Sequence, residues 1–164
     1  MTNNIRDLER KHISQIREII RNNWHLLPKK PASNLSTTEE DTKESFDMVF
    51  KESVNLSVRI RKNDALKYSD FTIRSKTKKG QKTEIDKLLS GLGHIYFYAW
   101  EDINQQYIEH FIIVDIHKAT HILKHPHSRN IPNGDGTFFN AYHLSSLFSC
   151  NAVISSTIRI KAVA

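Results

Sequence analysis

Residues Val54 to Lys118 constrain the fold more than any other part of this chain. Four segments of strand character surround one segment of helical character there. Val54-Asn55-Leu56-Ser57-Val58-Arg59-Ile60-Arg61 alternates apolar and polar side chains, the period of a strand buried on one face. Asp70 to Lys76 alternates in the same way, with Phe71 and Ile73 on one side and Thr72 and Arg74 on the other. Thr83 to Leu92 has helical spacing. His94 to Trp100 and Phe111 to Ile116 are aromatic and β-branched. The pattern predicts an α/β, or α+β, domain with a central mixed sheet of about five strands and flanking helices.

The strands at 54–61 and 68–76 are expected to form a hairpin turning at Lys62 to Lys67. Leu56, Val58, Phe71 and Ile73 then face the core, while Ser57, Arg59, Thr72 and Arg74 face outward. The outward face is basic: residues 59–82 hold nine Lys or Arg against two acids. Arg59, Arg61, Arg74, Lys78, Lys79 and Lys82 are therefore candidate phosphate-binding residues, with DNA or RNA the expected partner. A net charge of +6 points the same way.

The remainder reads as support for this core. Asn4 to Trp24 predicts an amphipathic helix and Thr38 to Phe50 a second. Residues 1–50 thus form a helical lead-in, 54–118 the core sheet and 119–164 a C-terminal extension of a single domain. Thr83 caps the helix it opens, with Asp86 placed for a capping box, and Gly91 and Gly93 end it. Lys118 to His125 predicts a short helix, Pro126 to Gly136 a loop, Tyr142 to Phe148 a helix, and Ala152 to Val163 a final strand or pair of strands. A mean hydropathy of −0.51 and the lack of a long apolar run predict no membrane span. No leader is recognised at the N-terminus, so a cytoplasmic location is expected. The single cysteine, Cys150, excludes an internal disulfide and any multi-cysteine metal site.

The order of elements around Thr72-Ile73-Arg74-Ser75-Lys76, with a helix from Thr83 and an apolar strand from His94, resembles the core of the PD-(D/E)XK, or restriction-endonuclease-like, nuclease superfamily over roughly residues 38–118. In that family, carboxylates on neighbouring strands hold Mg²⁺ and a lysine orients the attacking water. The resemblance implies Lys76 as that lysine and Asp70 or Glu84 as metal ligands. Arg74 stands where the family's second acid belongs, and an arginine cannot ligate Mg²⁺. Further acids would come from Glu44, Glu52 or Asp64. Two function classes follow: a Mg²⁺-dependent nuclease, and a non-catalytic module that binds nucleic acid or a protein partner as an inhibitor or adaptor. Two carboxylates beside Lys76 would favour the first, and cations alone the second.

Other chemistry-bearing residues have plainer readings beside functional ones. Asp115 ends an apolar strand, with His117 two residues on, while Glu101 and Asp102 end the strand before it. His117, His121 and His125 recur every four residues, as metal-binding pairs on a helix do, with His127 beyond them. Tyr96, Phe97, Tyr98, Trp100 and Tyr107 are candidates for stacking on unpaired bases. Phosphate-binding glycine loops, dinucleotide fingerprints and nucleophile elbows do not occur in the sequence.

Overall fold

The computed structural model describes residues 9–28, 48–49, 55–77, 81–91, 93–125 and 129–158. Helix α1 spans Ile13–Asn22. The strands and helices that follow are β1 (Met48–Val49), β2 (Asn55–Arg61), β3 (Asp70–Lys76), α2 (Glu84–Leu89), β4 (Ile95–Glu101), β5 (Ile108–Asp115), α3 (Ile116–Lys124), β6 (Arg129–Pro132), β7 (Phe138–His143), α4 (Leu144–Ser149) and β8 (Val153–Ser156). They form two sheets. The larger runs β1-β2-β4-β5-β8 and the smaller β3-β7-β6. The larger sheet is mixed: β2 lies parallel to β4, and its other pairings are antiparallel.

The expected hairpin does not form. β2 pairs with β4 from Leu56 to Arg61 and with the two-residue β1 at Asn55 and Leu56, and β3 is not in its sheet. A 3₁₀ segment at Asn63–Tyr68 and a left-handed Ser69 (φ 48°) carry the chain out of that sheet. β3 then pairs with β7 in the second sheet. The Ser69 carbonyl accepts from the Leu144 amide, which fixes the exit. Three further readings change with this pairing. Met48–Val49, expected in a helix, is strand, whereas the rest of the expected helix from Thr38 lies outside the described residues. β6 occupies part of the expected loop 126–136. Tyr142 closes β7, and the helix begins only at Leu144.

The larger sheet is buried on both faces. Leu56, Val58 and Ile60 of β2 join Ile95, Phe97 and Ala99 of β4 and Ile113 of β5 under Ile16 and Ile20 of α1. Those two isoleucines lie four apart, on one stripe of the helix. On the opposite face Tyr96, Tyr98 and Trp100 meet Phe71 and Ile73 of β3, Tyr142 of β7, and the helices α2, α3 and α4. Phe71 and Ile73 face the core as the alternation requires, as do Leu56 and Val58.

The outward half of that prediction fails. Ser57, Arg59 and Thr72 are only 2%, 7% and 1% exposed. The face that the hairpin would have left to solvent is covered instead: Ser57 lies beside Gly93, Arg59 meets Glu84 and Phe139, and Thr72 meets Arg61 and Tyr98 of the larger sheet. Central strands of parallel character are covered on both sides in this way.

α2 is capped as its sequence predicts. Thr83 Oγ1 accepts from the Asp86 amide, and the Asp86 carboxylate accepts from the Thr83 amide and hydroxyl. Gly91 follows with φ +83°. Gly93 passes so close to α2 that a Cβ there would lie 2.5 Å from Leu88 Cδ2. Among the described residues no helix is long and apolar enough to cross a membrane.

Candidate functional site

Parallel pairing sets Arg59 beside Tyr98 and Arg61 beside Trp100, on the face of the larger sheet that meets the smaller one. β3 brings Thr72 and Arg74 to the same place, and β7 brings Phe139 opposite Arg74. Between these strands lies a cleft of about 400 Å³ lined by Arg59, Arg61, Lys62, Thr72, Ile131 and Phe139, among others.

Arg59 is held from several sides. Its Nη2 donates to Glu84 Oε2 at 2.9 Å, its Nε lies 3.3 Å from the Tyr96 hydroxyl, and its guanidinium sits 4.8 Å from the Phe139 ring centroid. Burial opposes its charge, but Glu84 and the phenols of Tyr96 and Tyr98 outweigh burial and hold its pKa above the ordinary arginine value. Glu84 Oε2 also accepts the Arg74 amide at 3.0 Å, and its Oε1 accepts the Tyr96 hydroxyl. Burial, reinforced by the Glu84 carboxylate, pushes the Tyr96 phenol well above its usual pKa against the pull of Arg59.

Arg61 differs. Its Nη1 donates to Thr72 Oγ1 and, at 3.2 Å, to the Tyr98 hydroxyl; both partners are neutral. Thr72 Oγ1 and the Tyr98 hydroxyl are themselves 2.8 Å apart. Among the described residues Arg61 has no carboxylate partner. The Arg74 guanidinium lies 5.6 Å from the Phe139 centroid, and its Nε is buried without a hydrogen bond among the described residues. Lys76 is exposed, with Nζ 5.3 Å from the Phe138 centroid. Lys82 is exposed near the α2 cap, where it helps Thr83 to hold the Asp86 carboxyl below its ordinary pKa. Lys78, Lys79, His127, Glu44 and Glu52 lie outside the described residues.

The carboxylates named as metal ligands are not brought together. Asp70 is buried at the start of β3 and ion-paired to Arg129 of β6. Glu84 is bonded to the Arg74 amide, four residues further along the same strand. At about 3.3 Å per residue the two positions lie roughly 13 Å apart. Each carboxylate already faces an arginine. Among the described residues no three His, Cys, Asp or Glu side chains cluster as a metal site. Asp64 lies exposed on the 3₁₀ segment.

Other named residues have local duties. Asp115 caps α3 by accepting the His117 and Lys118 amides. Asp102 accepts the Asn104, Gln106 and Tyr107 amides in the β4–β5 turn. Glu101 ties α1 to the sheet through His12 at 2.8 Å and Lys11 at 3.3 Å. Tyr96, Phe97, Tyr98 and Trp100 are fully buried, so none of them can stack on a base; Tyr107 is half exposed.

Thr72, Phe139 and the hydroxyls of Tyr96 and Tyr98 belong to the site but are not singled out for it by the sequence. The tyrosine spacing held a signal, because a phenol inside a buried strand needs a polar partner. The two tyrosines lie opposite Ser57 and Arg59 in the register. No protein-family model, curated protein or solved structure matches the chain.

Proposed function

We propose that the chain binds nucleic acid without cutting it, holding strand phosphates at the mouth of the cleft with Arg61 and Lys62. The observation that carries this reading is the state of Arg61. Its guanidinium lines a cleft, uses only Nη1 on neutral hydroxyls, and leaves Nε and Nη2 without a bond among the described residues. A partly buried arginine with a free edge suits bidentate phosphate recognition. The exposed Lys62, Lys76 and Lys82 extend the positive field beyond the cleft, which suits a polymer of phosphates better than a single small anion.

Binding is favoured over cleavage by the condition of the acids. A metal-dependent nuclease needs two carboxylates around one ion beside Lys76. Here Glu84 neutralises Arg59 and Asp70 neutralises Arg129. Recruiting either acid to Mg²⁺ would leave a cation without its partner.

Fluorescence anisotropy with labelled single-stranded and duplex oligonucleotides tests the proposal. Binding should be measurable at about 50 mM salt and weaken at least tenfold by about 200 mM. The double substitution Arg61→Gln, Lys62→Gln should weaken binding about tenfold or more and reduce the salt slope by about two. Binding that ignores salt, or that survives the double substitution, refutes the site. Mg²⁺-dependent cleavage that is lost in Glu84→Gln and Lys76→Ala would favour the nuclease instead.

A further inference from the structure

The end of α3 presents a pair of histidines that the cleft does not use. His121 and His125 are four residues apart, so their side chains stand on one helical face. Both are exposed. Their Nε2 atoms are 2.8 Å apart and the ring centroids 4.1 Å apart. Neither ring has another partner among the described residues. His125 caps the helix in an extended conformation (φ −87°, ψ 168°), and from there its ring reaches back to His121.

We infer that His121 and His125 form a two-nitrogen site for a divalent transition metal that prefers ligands at right angles, Cu²⁺ or Ni²⁺. Two nitrogens 2.8 Å apart, each about 2.0 Å from one ion, subtend an angle of about 90° at it. That is the cis angle of a square-planar or tetragonal centre, the geometry of Cu²⁺ and Ni²⁺ with nitrogen ligands. A tetrahedral Zn²⁺ site would need the nitrogens about 3.3 Å apart. Cu²⁺ also stands highest in the affinity order of divalent first-row metals. In the neutral pair one Nε2 carries the shared proton and the accepting ring carries its proton at Nδ1. On loading, the shared proton leaves the donating ring's Nε2 for solvent and that ring takes one from solvent at Nδ1, with no net release. Both lone pairs then face the ion, whose remaining positions take water or an exogenous ligand. The backbone need not move, because the helix already sets the spacing.

The full chain without an affinity tag is titrated with Cu²⁺ and with Ni²⁺ by calorimetry, and the Cu²⁺ form is examined by electron paramagnetic resonance. The expected result is about one equivalent bound, an axial Cu²⁺ spectrum with two equatorial nitrogens, and tenfold or greater weakening in both His121→Gln and His125→Gln. His25→Gln, on an exposed histidine elsewhere, serves as the control and should leave affinity unchanged. Far-ultraviolet circular dichroism confirms that the variants fold, as expected for exposed positions. Undiminished binding in both His121→Gln and His125→Gln overturns the site. Tighter binding of Zn²⁺ than of Cu²⁺ overturns the right-angled geometry.

Discussion

Replacing Glu84 by Gln removes one charge at the centre of a buried network and leaves the shape nearly unchanged. The Glu84 side chain is 20% exposed and the Arg59 side chain 8%. Arg59 cannot shed its proton to escape, since its pKa is held above an already high value. Breaking a buried pair by removing one partner costs about 3–5 kcal/mol. Water reaches Glu84 from one side, which lowers the expectation to about 2–4 kcal/mol. The amide oxygen can still accept from the Arg74 amide, so the loss reports the charge and not the backbone bond. Urea unfolding of the parent, Glu84→Gln, Arg59→Met and the double variant forms a cycle. A coupling energy of about 2 kcal/mol or more is expected, with the double variant less destabilised than the two singles added. A coupling under about 0.5 kcal/mol would mean that the pair behaves like a surface ion pair, and the account of the site as a pre-neutralised arginine beside a free one would be wrong.

Other outcomes follow from the same packing. Phe71→Ala should cost about 3–5 kcal/mol by urea unfolding, because the ring is fully buried 5.1 Å from Tyr96 and 5.0 Å from Tyr98 at the junction of the two sheets; a loss under about 1 kcal/mol would contradict that junction. The raised pKa of Tyr96 means that the folded state keeps a proton the unfolded chain would release. Its contribution to stability is complete below pH of about 10 and declines as pH rises above it. Absorbance titration should therefore show a tyrosine that ionises only with alkaline unfolding, and normal titration of all five would refute this. Thr83→Ala should cost about 1 kcal/mol near neutral pH. Asp86 is held below its ordinary pKa chiefly by the Thr83 amide, so the Asp86 carboxylate's share of the cap is full above pH of about 4 and lost as pH falls further. The gap between parent and variant should narrow as Asp86 is protonated but not close, because Thr83 Oγ1 accepts from the Asp86 amide at any pH; a gap of zero at neutral pH would contradict the cap.

The sequence showed which residues share a face, and it did not show which strands are neighbours. Alternation placed Leu56, Val58, Phe71 and Ile73 inward correctly, and the Thr83–Asp86 pair announced the α2 cap. Periodicity carries no information about pairing partners, so adjacent strands 54–61 and 68–76 read as a hairpin. The contacts that bury Ser57, Arg59 and Thr72 come from Gly93, from Glu84 of α2 with Phe139 of β7, and from Arg61 and Tyr98 of the larger sheet. The strands of the second sheet arise in stretches whose Asn, Gly and Pro content read as loop and whose Tyr142 read as helix. At the site, Arg59, Arg61, Arg74 and Glu84 were each legible as chemistry-bearing, and the fold gathers them around one cleft. Their division of labour was not legible. That Glu84 serves Arg59 depends on a contact across 25 residues, and that Arg129 serves Asp70 on one across 59. Neither has a local signature.

The departure of β3 from the larger sheet sets when the chain can fold, not only how. Ser75 and Phe138 meet across 63 residues, and β8 closes the other sheet from beyond residue 150. Neither sheet is complete until almost the whole described chain is present. Loop closure of this length must precede the contacts that reward it. During synthesis β3 and its row of unpaired backbone groups therefore wait for β7 to emerge, a period in which an open strand edge is exposed to other chains. Refolding should be slow beside helical proteins of similar size and lose yield as protein concentration rises. Microsecond refolding with a yield independent of concentration would show that β3 finds its place before β7 is available.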